Sequence, residues 1–325
     1  MPYLTHFYTM HLLKSIEVGQ MTKMAETIEK LVKDGLLREK LSLRPSLDRV
    51  TFLLLRITKG RAVLQTEGEF ILDRIEIGGK ERIEFLPTKQ KAVERRTHMG
   101  YLRSTGYNEC VIPNQLCMKC INCGLFGAVQ AERGREGRFN LKSRILYSSA
   151  YSLQDADKIT ETKTQTAVDE VTQSTEQALF EIEYVIPGAI FPSIVVIRDP
   201  TYYDFLTYLK TLSQPTRYGA RTSLGGEIEN TIVGIIFSKE FITTPLDFLL
   251  DLEQKLVGDY AFEKVLKSAD EYLHAGINKG DKVFAGKELK DLLNEVKAIE
   301  ITKDTVDKWN QDVASTISDE LQKLG

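Results

Sequence analysis

The chain has 325 residues, 42% of them hydrophobic and 27% charged, with a formal net charge of −3. That balance excludes a low-complexity or collagen-like polymer, and the absence of a long apolar run argues against a membrane-spanning helix. The most apolar stretch, 180–197, is interrupted by Glu181, Glu183, Pro187 and Pro192, and the N-terminus MPYLTHFYTMHLLK lacks the form of a secretory signal, so a reducing cytoplasm is the expected compartment.

In chain order, Met24, Ile28, Leu31 and Val32 have helical spacing, and Gly35 ends that helix. RVTFLLLRIT, 49–58, reads as a buried strand, with Phe52 in the core. QKAVERRTHMGYLR, 90–103, reads as a helix. Strands follow at 144–151 and 179–186, the second continuing beyond a proline kink through Ile194–Ile197. Asp199-Pro200 reads as a helix start, because Asp caps free N–H groups and Pro fits the first turn. Phe205, Leu206, Leu209 and Leu212 line that helix, and TIVGIIF, 231–237, is the last strand. From Phe241 onward the chain reads as helical throughout, with a core stripe of Trp309, Val313, Ile317 and Leu321.

The predicted order is β-α-β-β-α-β with an insertion after the first helix, so the fold class is α+β with a ferredoxin-like or RRM-like core. An N-terminal segment occupies 1–48, the core 49–241 and a helical region 242–325. Residues 152–177, SLQDADKITETKTQTAVDEVTQSTEQ, form a polar stretch too long for an ordinary connection. They read as a loop, or as a hairpin that projects from the body.

Charge is unevenly spread. Residues 80–147 hold thirteen Lys/Arg against six Glu, whereas 240–325 hold eleven Lys against eighteen Asp/Glu and no arginine. The net charge alone does not suggest a nucleic-acid binder, but arginine, the residue of bidentate phosphate contact, is confined to the first two-thirds. The distribution reads either as a solvated helical tail with surface Lys and Glu or as a polyanion-binding body with a neutral-to-acidic appendage. Lys91, Arg95, Arg96 and Arg103 share one predicted helix, and Arg133, Arg135, Arg138 and Lys142 follow the cysteines with glycines between them. Gly-spaced arginines suit backbone phosphates better than base edges.

All four cysteines, Cys110, Cys117, Cys120 and Cys123, fall in one window. The spacing C-x6-C-x2-C-x2-C brings sulfurs onto a single ion, zinc ahead of an iron–sulfur cluster, because the C-x3-C-P that completes a ferredoxin run is missing. Four thiolates with no H-E-x-x-H pattern favour a closed, structural ion that supplies on the order of 10 kcal/mol of local folding energy. His98 is the alternative fourth ligand.

The connection PTRYGARTSLGGEIEN, 215–230, carries Gly219, Gly225 and Gly226, which permit positive φ and close approach to a ligand. Arg217 and Arg221 flank the glycines and Tyr218 offers a stacking face. Backbone N–H groups in such a loop can cradle phosphate, and no G-x-x-x-x-G-K-[ST] is present.

Taken together, these parts resemble the RAMP-superfamily crRNA-binding backbone subunit of CRISPR type I-D effector complexes (Cascade). The resemblance covers nearly the whole chain and is most specific in CMKCINCGLFG and RYGARTSLGG. It implies a modified RRM core with a zinc-binding insertion at about 104–143, a thumb or lid at about 152–178, and a C-terminal helical region. It implies a non-catalytic subunit that stacks with other copies and other effector subunits as a filament on guide RNA, and presents that single strand for pairing with invading DNA. Residues 217–226 would lie against the guide backbone, 152–177 would separate blocks of guide nucleotides, and the cysteines would hold zinc. A RAMP-type RNA endonuclease is the competing function, with Glu67, Glu69 and Asp73 as candidate carboxylates after the first strand. Such cleavage needs grouped His, Tyr or Lys, and His6, His11, His98 and His274 form no group in the sequence. A stand-alone zinc-stabilised RNA-binding protein is the third reading.

Overall fold

The computed structural model describes residues 26–65, 71–129, 140–168, 170–172, 175–214, 216–240 and 243–322. Helix α1 (Glu26–Lys33) precedes strand β1 (Arg49–Thr58), the hairpin β2 (Arg74–Ile77) and β3 (Lys80–Phe85), and helix α2 (Pro87–Ser104). The short helix α3 (Ile121–Phe126) is followed by β4 (Ala128–Val129), β5 (Asn140–Leu141), β6 (Ile145–Tyr147), β7 (Ala150–Tyr151) and α4 (Ala156–Ile159). A long hairpin, β8 (Thr160–Val168) and β9 (Thr175–Val185), leads into β10 (Ile190–Arg198), α5 (Tyr202–Leu212), β11 (Thr216–Arg217) and β12 (Glu227–Ser238). The C-terminal part holds α6 (Pro245–Leu256), α7 (Phe262–Ala275), β13 (Lys282–Ala285), α8 (Gly286–Ala298) and α9 (Lys303–Gln322). Among the described residues no helix is long and apolar enough to cross a membrane.

The central sheet runs β11-β12-β1-β10-β6, with β13 also paired to β12, and its neighbours are antiparallel. β1 lies in the middle, and both of its faces are covered. Val50, Phe52 and Leu54 pack with Val195, Ile197, Ile235 and Phe237 beneath Met99 and Leu102 of α2 and Phe205 and Leu209 of α5. On the opposite face Leu53, Leu55 and Ile57 pack with Ile194, Val196 and Ile236 beneath Leu249 and Leu252 of α6 and Val265 and Leu273 of α7. Burial on two sides is why RVTFLLLRIT is a continuous apolar run and does not alternate. Phe52 is a core residue, 5.1 Å edge-on from Tyr208.

Several expected boundaries differ. The stretch at 144–151 splits into β6 and β7, which belong to different sheets. Leu179–Ile186 and Ile194–Ile197 are not one kinked strand. β9 pairs with β8 in the hairpin, Gly188 turns the chain at φ +95°, and β10 then enters the central sheet. Pro192 is tolerated there because β6 pairs only with Val195–Ile197, so that among the described residues no strand pairs with the outer edge at Pro192. Asp199 does not cap the second helix. Thr201 does, in a reciprocal capping box with Asp204, while the Asp199 carboxylate accepts from the Ser46 hydroxyl at 2.6 Å and pairs with Arg38 at 2.8 Å. After Phe241 the chain is not helical throughout: β13 extends the sheet, with Phe284 against Phe237. Of the two readings of the polar stretch, the hairpin holds: β8 and β9 pair along their length, introduced by α4. Met24 lies outside the described residues.

One buried polar cluster ties these layers together. Arg56 of β1 and Glu94 of α2 are 0% and 1% exposed and meet at 2.6 Å. Tyr147 of β6 and Tyr208 of α5 each donate to Glu94 Oε2 at 2.7 Å, and Tyr218 donates to Oε1 at 3.0 Å. Burial, then the neighbouring Glu94 charge, raises the Tyr147 and Tyr208 phenols, so they stay neutral donors. Asn230 of β12 accepts from Arg56 at 2.7 Å.

Removing Glu94 leaves Arg56 buried without its counter-charge and three hydroxyls without an acceptor. Glu94→Ala is expected to destabilise by roughly 3–5 kcal/mol, read as a lower denaturant midpoint; an unchanged midpoint would show that the cluster is dispensable. A chain ended after Ser238 exposes the β1 face that α6 and α7 cover, and it is expected to aggregate rather than yield a folded core.

Candidate metal centre and nucleic-acid interface

The four cysteine Sγ atoms lie within 4.8 Å of one another, and Cys110 and Cys123 are 3.6 Å apart. A tetrahedral site with bonds of about 2.3 Å has S–S edges of about 3.8 Å, so the group is of the right size for one ion. A turn with Met118 at φ +58° folds the chain back, and Cys120 then caps α3, its sulfur accepting from Cys123 N at 3.4 Å. The thiols are divided by their mutual hydrogen bonds. Cys110, pushed up by Cys117 but drawn down by Cys120 and Cys123, sits at about 7. Cys117 is held well below the ordinary thiol range by Cys110, Cys120 and Cys123, while Cys120 and Cys123 are pushed up, foremost by Cys110. A cation is what lets all four carry charge together.

His98 is not a member of this group. Its Nδ1 accepts from Asn122 Nδ2 at 3.1 Å, and its Nε2 donates to Thr207 Oγ1 at 2.9 Å, because that hydroxyl's own proton goes to Tyr203 O. Burial lowers His98 to about 4, so it is neutral with the proton on Nε2.

The cysteine segment 110–126, a knuckle, is bolted to the body by Arg144 and by residues that read from sequence as RNA contacts. Arg95 Nε donates to Asn122 Oδ1 at 3.1 Å, and Arg103 Nη2 donates to Cys110 O at 2.9 Å. Arg144 donates to Gly124 O and pairs with Asp204 at 2.7 Å. Lys91 is half-buried and donates to Ser143 Oγ at 2.9 Å. The Arg96 and Lys142 side chains are exposed and make no ion pair or hydrogen bond among the described residues. Arg133, Arg135 and Arg138 lie outside the described residues, as do Glu67, Glu69, His6 and His11. The Asp73 carbonyl accepts from Glu84 N. His274 is exposed on α7 beside Asp270.

The glycine-rich loop differs from the expectation in two ways. Tyr218 is 0% exposed within the Glu94 cluster, so its ring offers no stacking face. The glycines make room for protein backbone. A Cβ on Gly219 would stand 2.2 Å from Val63 O, on Gly225 2.4 Å from Arg61 O, and on Gly226 2.5 Å from Tyr218 O. Ala220 N donates to Val63 O and Gly226 N to Arg61 O, which seats the loop on the segment after β1. Arg217 closes the loop, donating to Thr222 O and pairing with Glu227 at 2.7 Å.

That seating forms a cleft of about 220 Å³ lined by Arg61, Lys163, Tyr184, Arg221, Leu224 and Gly225. Arg61, Lys163 and Arg221 are exposed cations, and Tyr184 is a half-buried ring. Three separate stretches meet here: the end of β1, the base of the β8–β9 hairpin and the glycine loop. Of these residues only Arg221 and Gly225 stood out in the sequence. Arg61, Lys163 and Tyr184 carried no local signal: Arg61 follows a strand, Lys163 sits in a polar stretch and Tyr184 in an apolar one, and only folding brings them together.

Residues 36–320 match the family described as Csc2 Crispr. The chain belongs to the Csc2 family. The match spans the cysteine group, the hairpin and the glycine loop. The fold is similar to the crystal structure of Thermofilum pendens Csc2, at 20% identity and a TM-score of 0.64, covering 89% of this chain and 94% of that one. It is also similar to a chain of a CRISPR RNA-guided surveillance complex, pre-nicking (12% identity, TM-score 0.52, 76% of this chain and 99% of that one). A chain of a further CRISPR RNA-guided surveillance complex aligns at 12% identity and a TM-score of 0.50, covering 71% of this chain and 87% of that one. Among curated proteins none matches.

In this Csc2 chain α9 docks on the knuckle: Asn310 Oδ1 accepts from Ile121 N at 3.0 Å, and Val313 packs 3.5 Å from the Cβ position of Gly124. Trp309, the sole tryptophan, stacks on Tyr203 and donates to Tyr202 OH. A strong chelator is therefore expected to lower the Tm and red-shift Trp309 emission, and Cys120→Ser to do the same without chelator. An emission spectrum indifferent to chelation would detach α9 from the metal centre. His98 is expected to remain neutral down to about pH 4, observed in its ring ¹⁵N shifts. Because the unfolded chain takes up that proton at about 6.5, the neutral imidazole's contribution to stability is present above about pH 6.5 and is lost as pH falls toward 4.

Proposed function

We propose that this Csc2-family chain is a non-catalytic backbone subunit of a CRISPR effector complex of type I-D, binding single-stranded guide RNA and stacking copy upon copy along it so that the guide is presented to invading DNA. The basic cleft where the glycine loop, the hairpin base and the end of β1 converge carries this reading. It joins three cations to an aromatic ring, the combination that holds a sugar–phosphate backbone and tolerates any base. Lys163 and Tyr184 bring the hairpin to that cleft, which supports reading it as the divider of the strand.

The core is a modified RRM. The order β12-β1-β10-β6, with α2 and α5 on one face, is that of a ferredoxin-like unit. An ordinary RRM reads RNA with stacking aromatics on its open sheet face. Here that face carries Leu53, Leu55, Ile57, Ile194 and Val196 and is shut by α6 and α7, so RNA contact moves to the cleft at the sheet's end. The cysteine group holds one zinc ion in a closed structural site, since four thiolates leave no open position for a reacting water.

The chain purified with its cellular nucleic acid is expected to carry repeat-derived RNA of uniform length and one zinc per chain by elemental analysis. Heterogeneous cellular RNA would defeat the guide reading, and iron with charge-transfer absorbance would defeat zinc. Arg61→Ala with Arg221→Ala is expected to weaken binding to all single strands alike and to flatten the dependence of log affinity on log salt by roughly 0.7 for each phosphate no longer neutralised. Arg217→Ala acts on loop shape and is expected to lower the Tm as well as binding.

A further inference from the structure

Arg61 and Lys163 of the cleft are engaged by the same carboxylate. Glu161 of β8 accepts from Arg61 Nε at 3.2 Å, lies 3.1 Å from Arg61 Nη2, and also pairs with Lys163. Its position is fixed by the hairpin register: Glu161 stands directly opposite Tyr184, and Lys163 lies two residues along on the same face. Glu161 therefore occupies the rim of the cleft that Arg61, Lys163 and Tyr184 line. Its carboxyl is held below the usual range, foremost by Lys163 and then by Arg61, so it is anionic wherever RNA binds.

Resting on the guide-binding reading above, we infer that Glu161 is a built-in competitor for backbone phosphate: it neutralises Arg61 and Lys163 in the empty protein and must release them before the cleft accepts a strand. A carboxylate forked on a guanidinium presents the same pair of acceptor oxygens as a phosphate. Binding then exchanges one anion for another. The counter-ion released from the RNA is offset by the cation that the freed Glu161 attracts, which lowers both the affinity and its sensitivity to salt. Exposed pairs of this kind are weak, so release is easy and the effect is a tuning of strength, not a barrier.

The distinguishing variant is Glu161→Gln, which keeps the side chain's shape and removes its charge. Glu181→Gln is the control. It makes the same charge change on the same hairpin, at a residue that faces away from the cleft and takes a hydrogen bond from Thr164. Anisotropy with a labelled, mixed-sequence single-stranded RNA is measured across about 50–300 mM salt. Glu161→Gln is expected to bind about threefold more tightly or better at the low end, with a salt slope steeper by roughly 0.7. Glu181→Gln is expected to match the parent, and the gain is expected to shrink when Arg61→Ala is added. Equal gains from both glutamines would reduce the effect to bulk charge and overturn the inference, as would no gain from Glu161→Gln. A parent chain that binds RNA with normal salt dependence while Glu161→Gln changes nothing overturns this inference alone. A parent that binds no RNA overturns the guide-binding reading and this inference with it.

Discussion

The Arg56–Glu94 pair joins more elements of the fold than any other contact among the described residues. One buried carboxylate gathers hydroxyls from β6, α5 and the segment after β11, and the guanidinium beneath it reaches β1 and β12. Taking two charges out of water is unfavourable by several kcal/mol per ion, and only a dense set of partners offsets it. Such an arrangement gains little stability over an apolar core of the same volume. What it enforces is uniqueness, because sliding α2 or α5 along the sheet would leave a buried charge unmatched. Tyr218 belongs to this cluster and begins the glycine loop, so the geometry of the cleft follows from the geometry of the core.

The covered sheet explains where the chemistry can be. With α2 and α5 on one face and α6 and α7 on the other, no broad surface of the central sheet is open among the described residues. The basic cleft accordingly lies at the ends of strands, where Arg61 follows β1 and where the hairpin departs before β10. The acidic balance of the last eighty-odd residues follows too: those helices shield apolar strands, and their outer faces need only remain soluble and unattractive to polyanions.

Much of this was legible in the residues. The ends of β1 coincide with RVTFLLLRIT, α2 with QKAVERRTHMGYLR to within a few positions, and the cysteine spacing brought four sulfurs together. What misled did so for identifiable reasons. Gly219, Gly225 and Gly226 mark a close approach, but sequence does not say what approaches, and here it is Val63 and Arg61 backbone. Arg95 and Arg103 look like phosphate ligands because a positive charge that ties a loop to a helix has the same letter as one that meets RNA. Tyr218 looked exposed because it sits among loop residues, yet its hydroxyl had a buried carboxylate to satisfy. The strand β13 was hidden by its length, KVFA being too short to show alternation.

The docking of α9 on the cysteine knuckle also sets an order of events during synthesis. The four cysteines emerge within fourteen positions of one another and can gather an ion as soon as they clear the ribosome, whereas the hydrogen bond from Ile121 to Asn310 spans 189 residues. The cysteine group can thus gather early and is roofed last. In the interval the nascent chain also carries a sheet whose second face waits for α6 and α7, and long-range closure of this kind is slow and exposes apolar surface. Production of this protein should therefore depend on how long the unfinished chain is kept from its neighbours.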